Sequence, residues 1–122
     1  MILVVDDNPV QALTRKAILE GAGLDTETVY SAEAAFQAIE NDHATAITLV
    51  ITDHIMPGES GSHFVAHLWQ RRQGLPVLVL TGLIEAEEEY AGLGITFRSK
   101  PIRPGELIAL ATELSSPKPL AT

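Results

Sequence analysis

The chain has 122 residues, 46% hydrophobic and 20% charged, which is the size and balance of one globular domain with material for a core. Asp and Glu number 16 against 8 Lys and Arg, and the formal net charge of -8 has the wrong sign for direct nucleic-acid binding or for an anionic membrane surface. No cysteine is present, so a disulfide framework, a thiolate metal centre and a thiol nucleophile are excluded. No stretch approaches the about 18 apolar residues of a spanning helix, and the apolar start Met1 to Val5 stops at two aspartates, unlike a signal peptide; a soluble, cytoplasmic protein without membrane insertion is expected.

Ile2 to Val5 is a short β-branched apolar run, the pattern of a strand buried on both faces. It ends at Asp6-Asp7-Asn8-Pro9, where Asp or Asn can cap a helix and Pro suits the first turn. Val10, Leu13, Ala17 and Ile18 follow at helical spacing until Gly21 and Gly23. Asp25 to Tyr30 reads as a more polar edge strand, and Ala32, Ala35, Phe36 and Ile39 as a helix stripe capped by Ser31. Ile47 to Thr52 is a second buried run ending at Asp53, followed by a loop marked by Pro57, Gly58 and Gly61. Phe64, Val65 and Leu68 begin a third helix, and Pro76 to Leu80 is a fourth strand ending at Thr81-Gly82. A short acidic helix is expected around Glu85, Glu87, Glu88 and Glu89, closed by Gly92 and Gly94, then a fifth strand at Ile95 to Arg98. Leu107, Leu110, Ala111 and Leu114 mark the last helix. Five strands alternating with five helices predict an α/β domain whose parallel sheet is covered on both faces. The domain is expected over residues 1–114, with 115–122 as a C-terminal tail or the start of a linker.

Ligands of open α/β sheets bind outside the carboxyl ends of the strands. Asp6-Asp7, Asp53, Thr81 and Lys100 each follow an apolar strand, so residues far apart in sequence are expected at one edge. Taken singly, each has a plainer reading: a helix cap, a turn residue, a strand terminus and a solvated lysine. Their joint placement favours a site. Three carboxylates together call for a compensating cation, and Mg²⁺ with oxygen ligands and retained waters suits so few of them. A lysine and a hydroxyl beside that metal suit phosphoryl chemistry, with a carboxylate nucleophile and a lysine for the developing charge.

The span from Ile2 to about Leu114 resembles a response-regulator receiver domain of the kind found in chemotaxis regulators and other two-component systems. The resemblance rests on Val4-Val5-Asp6-Asp7, the run Asp53-His54-Ile55-Met56-Pro57-Gly58-Glu59-Ser60-Gly61, Thr81-Gly82, and Phe97-Arg98-Ser99-Lys100-Pro101. It implies a flavodoxin-like, doubly wound five-stranded parallel sheet with five helices. It also implies a phosphoacceptor signalling domain that catalyses only its own phosphorylation and dephosphorylation. Asp53 matches the phosphoacceptor, taking a phosphoryl group from a phosphohistidine of a sensor histidine kinase or a histidine phosphotransfer domain. Asp6 and Asp7 match the acidic pair that holds Mg²⁺ with Asp53 and the backbone carbonyl of Ile55. Thr81 matches the switch hydroxyl, Phe97 the aromatic switch, and Lys100 the lysine that pairs with the phosphoryl group, with a cis bond to Pro101. The surface of the fourth helix, fifth strand and fifth helix would then change affinity for a downstream effector or a second copy of the chain, as a homodimer.

Some positions depart from the family pattern. His54 stands where an apolar residue is usual, and Gly82 replaces the commoner Ala. Ile55 and Leu83 are apolar at positions that tune dephosphorylation in the family, so slow self-hydrolysis is expected. His63 and His67 are four apart on a helix, but no third metal ligand is evident, and they read as a solvated edge. Arg15, Lys16, Arg71 and Arg72 read as solubilising charge, and the aromatics show no base-stacking pattern. A flavin or mononucleotide binder would want a phosphate cradle where Asp6-Asp7 stand, and a haloacid-dehalogenase-type phosphatase a second acid where Ile55 stands. The competing function is a receiver-like interaction module that works without phosphorylation. The domain is read either as a stand-alone regulator or as the receiver of a hybrid sensor kinase.

Overall fold

The computed structural model describes residues 1–44, 46–53, 55–56, 59–82 and 95–115. The elements in chain order are β1 (Ile2–Val5), α1 (Pro9–Gly21), β2 (Thr26–Val29), α2 (Ala32–Glu40), β3 (Leu49–Asp53), β4 (Ile55–Met56), β5 (Glu59–Ser60), α3 (Gly61–Arg71), β6 (Val77–Thr81), β7 (Thr96–Ser99) and α4 (Pro104–Ser115). Five strands form one parallel sheet in the order β2-β1-β3-β6-β7, the doubly wound arrangement expected, with polar β2 at an edge. Four of the five expected helices lie among the described residues, and the acidic segment Glu85 to Glu89 lies outside them.

The central strands alternate their side chains between two cores, which is why they read as unbroken apolar runs. Leu3 and Val5 of β1, Val50 of β3, and Val77 and Val79 of β6 join Ala35, Ile39, Phe64 and Leu68 in one core, so this face is covered by α2 and α3. Ile2, Val4, Leu49, Ile51, Leu78 and Leu80 join Ala12, Leu19, Leu107 and Ala111 in the other, under α1 and α4. The stripes expected for α2, α3 and α4 face inward as read, and Ser31 caps α2 by accepting from the Ala34 amide at 3.1 Å.

The loop expected after Asp53 contains a small antiparallel pairing, Ile55 with Ser60 and Met56 with Glu59. The strand expected from Ile47 starts at Leu49 instead. Ile47 is buried, but its amide donates to Asp42 Oδ2 at 2.8 Å and its carbonyl accepts from Arg72 Nη1 at 3.0 Å, so both groups are withdrawn from the sheet ladder. Arg72 also donates to the Asp42 carboxylate and carbonyl, and the basic residues read as solubilising prove structural in part. Arg71 reaches Glu40 at 2.9 Å and lies 4.3 Å over the Phe36 ring, joining α3 to α2.

Burial pushes the Asp42 carboxyl up, but bonds from the Ile47 and Ala46 amides and the Arg72 guanidinium outweigh it and hold the group below its ordinary value of 3.8. A lowered folded-state pKa contributes stability above the unfolded value and loses it as pH falls through the folded one. Asp42→Asn should therefore lower the thermal midpoint at pH 7 by on the order of a few °C. Melting curves down the acid range should show the gap narrowing below pH 3.8. A gap that stayed constant with pH would assign the loss to packing instead of charge.

Candidate functional site

The strand order reverses direction at β1, with β2 on one side and β3 on the other, so the crevice between the ends of β1 and β3 is the topological switch point. The register pairs Val5 with Thr52, which sets Asp6 level with Asp53. On the next strands Asp53 pairs with Leu80 and Thr81 with Ser99, so Thr81 stands one step and Lys100 two steps further along the same edge. The Lys100 amide donates to the Thr81 carbonyl at 2.7 Å, and the following peptide bond to Pro101 is cis. The sheet thus gathers Asp6, Asp53, Thr81 and Lys100 at one end.

Asn8 is the α1 cap: its Oδ1 accepts from the Val10 and Gln11 amides at 3.0 and 3.3 Å, and Pro9 takes the first turn. Capping is therefore not what the acidic pair does. Asp6 is fully buried; its Oδ1 accepts from the Asn8 amide at 2.9 Å and its Oδ2 from Arg15 Nη1 at 2.7 Å. Asp7 is exposed beside it. Half-buried Asp53 pairs through Oδ2 with the Lys100 ammonium, and Lys100 also donates to Gln11 Oε1 at 3.2 Å. Thr81 is buried, and pleat alternation from Val79 puts its side chain on the face of the α2 and α3 core, where partly buried Phe97 also packs from the neighbouring strand.

Arg15 and Gln11 are the members of this cluster that the pattern reading missed. The stripe Val10, Leu13, Ala17 and Ile18 predicts the inner face, yet Val10 and Leu13 are 73% and 51% exposed and Ala17 is exposed too, while Ile18 packs against the core as expected. The inward residues of α1 are Ala12, Arg15 and Leu19. Asn8 explains the rotation: it caps the helix while giving its own amide to Asp6, so residues one and two turns on, Gln11 and Arg15, come round to the same side. The available signal was the second stripe, Ala12, Arg15 and Leu19, whose cation has a carboxylate at the adjoining strand end.

Asp6 and Asp53 at neighbouring strand ends, with exposed Asp7 adjoining and solvent at hand, match in chemistry the few-carboxylate donor set of Mg²⁺. As arranged, no group of three His, Asp or Glu side chains among the described residues is gathered for a metal ion, and Asp6 and Asp53 each face a protein cation. Ile55 lies in β4, paired with Ser60. Gly82 is exposed, and among the described residues nothing lies within 4 Å of a Cβ added there. His63 is exposed, while His67 is half-buried in an edge-on contact with Phe36, the centroids 5.8 Å apart, so only the first matches the expected solvated edge. His54, Leu83 and the loop residues Pro57 and Gly58 lie outside the described residues.

A family model described as the response regulator receiver domain matches residues 2–112. The chain belongs to that family. Among relatives of this receiver domain, the transcriptional regulatory protein BasR of Escherichia coli K12 is 36% identical over 96 residues, 77% of this chain and 41% of BasR. The sensor protein EvgS of the same organism is 30% identical over 114 residues, 93% of this chain but 9% of EvgS. The chain thus spans about half or less of the length of such relatives. A CheY-like receiver domain from Methanospirillum hungatei JF-1 superposes with a TM-score of 0.83 at 26% identity, covering 93% of this chain and 91% of that one. A response regulator receiver protein from Pseudomonas putida gives 0.83 at 28% identity, covering 92% and 94%. No helix among the described residues is long and apolar enough to cross a membrane.

Asn8 carries the local geometry, since it sets both the start of α1 and the approach of Arg15 to Asp6. Replacing it with Ala should cost about 1 kcal/mol, read by urea denaturation, and Asn8→Asp should recover most of the loss. An unchanged midpoint in the alanine variant would remove Asn8 from this role.

Proposed function

We propose that this receiver domain takes a phosphoryl group onto Asp53 from the phosphohistidine of a sensor histidine kinase or a histidine phosphotransfer domain, and so switches a partner-binding surface. The observation that carries the reading is the pairing of Asp53 with Lys100 at the switch point, level with buried Asp6. In the transfer an Asp53 carboxylate oxygen attacks phosphorus, and the P–N bond breaks with its electron pair left on the imidazole. Lys100, already on that carboxylate, moves its charge onto the phosphoryl oxygens and holds the product. Asp6, Asp7, Asp53 and the Ile55 carbonyl are the groups that would hold Mg²⁺, which when bound neutralises charge on the entering phosphoryl oxygens.

Thr81 supplies a hydroxyl one step beyond Asp53 on the next strand. Its movement toward a phosphoryl oxygen would leave room on the face it shares with Phe97, whose inward turn alters the surface around β7 and α4. That surface is where an effector or a second copy of the chain would bind; the acidic segment Glu85 to Glu89 lies outside the described residues. A cytoplasmic location follows from a kinase donor. A stand-alone regulator and the receiver of a hybrid sensor kinase are the two readings of the whole protein, and the relatives named as a transcriptional regulatory protein and as a sensor protein support one of each.

Incubation with acetyl phosphate and Mg²⁺ should add one phosphoryl mass to the intact protein, and the Asp53→Asn variant should gain none. An adduct on both proteins would move the acceptor elsewhere, and none on a folded, Mg²⁺-bound wild type would favour an interaction module that works without phosphorylation. Ile55 and Leu83 offer no carboxylate or amide to orient an attacking water, so the adduct should decay more slowly than in Ile55→Glu. Equal decay rates would deny position 55 a part in hydrolysis.

A further inference from the structure

Two carboxylates and two cations at the switch point form one connected network, and a neutral amide joins its halves. Arg15 bonds Asp6, Lys100 bonds Asp53, and Gln11 Oε1 accepts from Arg15 Nη2 at 3.4 Å and from Lys100 Nζ at 3.2 Å. Gln11 and Arg15 are one turn apart on α1, so the helix carries both the amide and the inner cation on one side. Arg15 is 8% exposed and Asp6 fully buried, which separates this ion pair from the solvent-screened kind. A buried carboxylate left without a partner is strongly destabilising, so Arg15 is a structural requirement wherever nothing else neutralises Asp6.

We propose that Arg15 is an internal counter-ion for Asp6 that competes with Mg²⁺, making it a positioning residue that sets the metal affinity of the site. This rests on the phosphoacceptor reading and its metal. Arg15 holds Oδ2 of the Asp6 carboxylate, and a Mg²⁺ ion taking that oxygen would exchange one cation for another. Arg15 would keep Gln11 as an acceptor, and through it would stay tied to Lys100, the cation needed at Asp53. A cation could instead repel Mg²⁺ merely by charge. Lysine keeps that charge but, as a shorter point charge without the planar fork, cannot bridge Asp6 and Gln11 as arginine does.

Isothermal titration with MgCl₂ alone, on the full chain, tests this in the wild type, Arg15→Leu and Arg15→Lys. Loss of a charge-assisted bond that Mg²⁺ must displace should tighten the dissociation constant by about tenfold to a hundredfold in Arg15→Leu. Arg15→Lys should fall between the two. Melting in EDTA should find Arg15→Leu less stable than the wild type, with saturating Mg²⁺ restoring most of the difference. If Arg15→Leu does not fold without metal, the wild type alone decides: the Arg15 side-chain Nε–H resonance should shift on saturation with Mg²⁺ as its carboxylate partner leaves. Equal or weaker Mg²⁺ binding by Arg15→Leu, or an Arg15 resonance unmoved at saturation, overturns the proposal. Absence of Mg²⁺ binding in every variant overturns it together with the metal part of the phosphoacceptor reading. Metal-dependent labelling of Asp53 with equal affinities overturns the Arg15 role alone.

Discussion

A carboxylate removed from water must be met by a positive charge or lose its own. The two aspartates at the ends of β1 and β3 are met by Arg15 from the helix that follows β1 and by Lys100 from the end of β7. Much of the local architecture serves these two pairings. Asn8 turns α1 so that Arg15 faces inward, and the parallel register of β3, β6 and β7 delivers Lys100 to the same edge. The apolar cores on either side of the sheet keep the strands in that register.

The same requirement explains why an acidic chain carries structural arginines. Arg72 binds Asp42 and two carbonyls where α3 meets the connection into β3, and Arg71 ties α3 to α2 through Glu40 and the Phe36 ring. Each of these contacts joins residues about 30 positions apart, which no local pattern reports. Among the described residues no buried side-chain nitrogen or oxygen lacks a hydrogen-bond partner, so the polar groups taken inside are accounted for.

Much of the fold was legible because strands buried on both faces and helices with one apolar side leave different periodicities in the chain. Val4, Ile51 and Leu80 announce central strands, and Ala35, Ile39, Phe64 and Leu107 announce the inner faces of α2, α3 and α4. The pattern failed on α1. Val10 and Leu13 are the larger apolar residues and claimed the inner face, whereas a specific charge pair rotated Arg15 into it. Hydrophobic periodicity treats every arginine as outward, so it cannot see a cation whose partner comes from another element. The start of β3 was misplaced for a related reason, since Asp42 and Arg72 took the backbone groups of Ile47.

The sequence by itself determined the alternation of strands and helices, the family motifs, and the placing of Asp6, Asp53, Thr81 and Lys100 at strand ends, because these depend on local patterns and on short spacings. The tertiary structure decided which of those residues meet and what neutralises them. Asp6 comes level with Asp53 only through the β1 and β3 register, and Lys100 reaches Asp53 across two further strands. Arg15 and Gln11 enter the network only once the helix has a fixed rotation over the sheet. Charge pairing acts through space at a few ångströms, so it answers to the packed geometry and not to order along the chain.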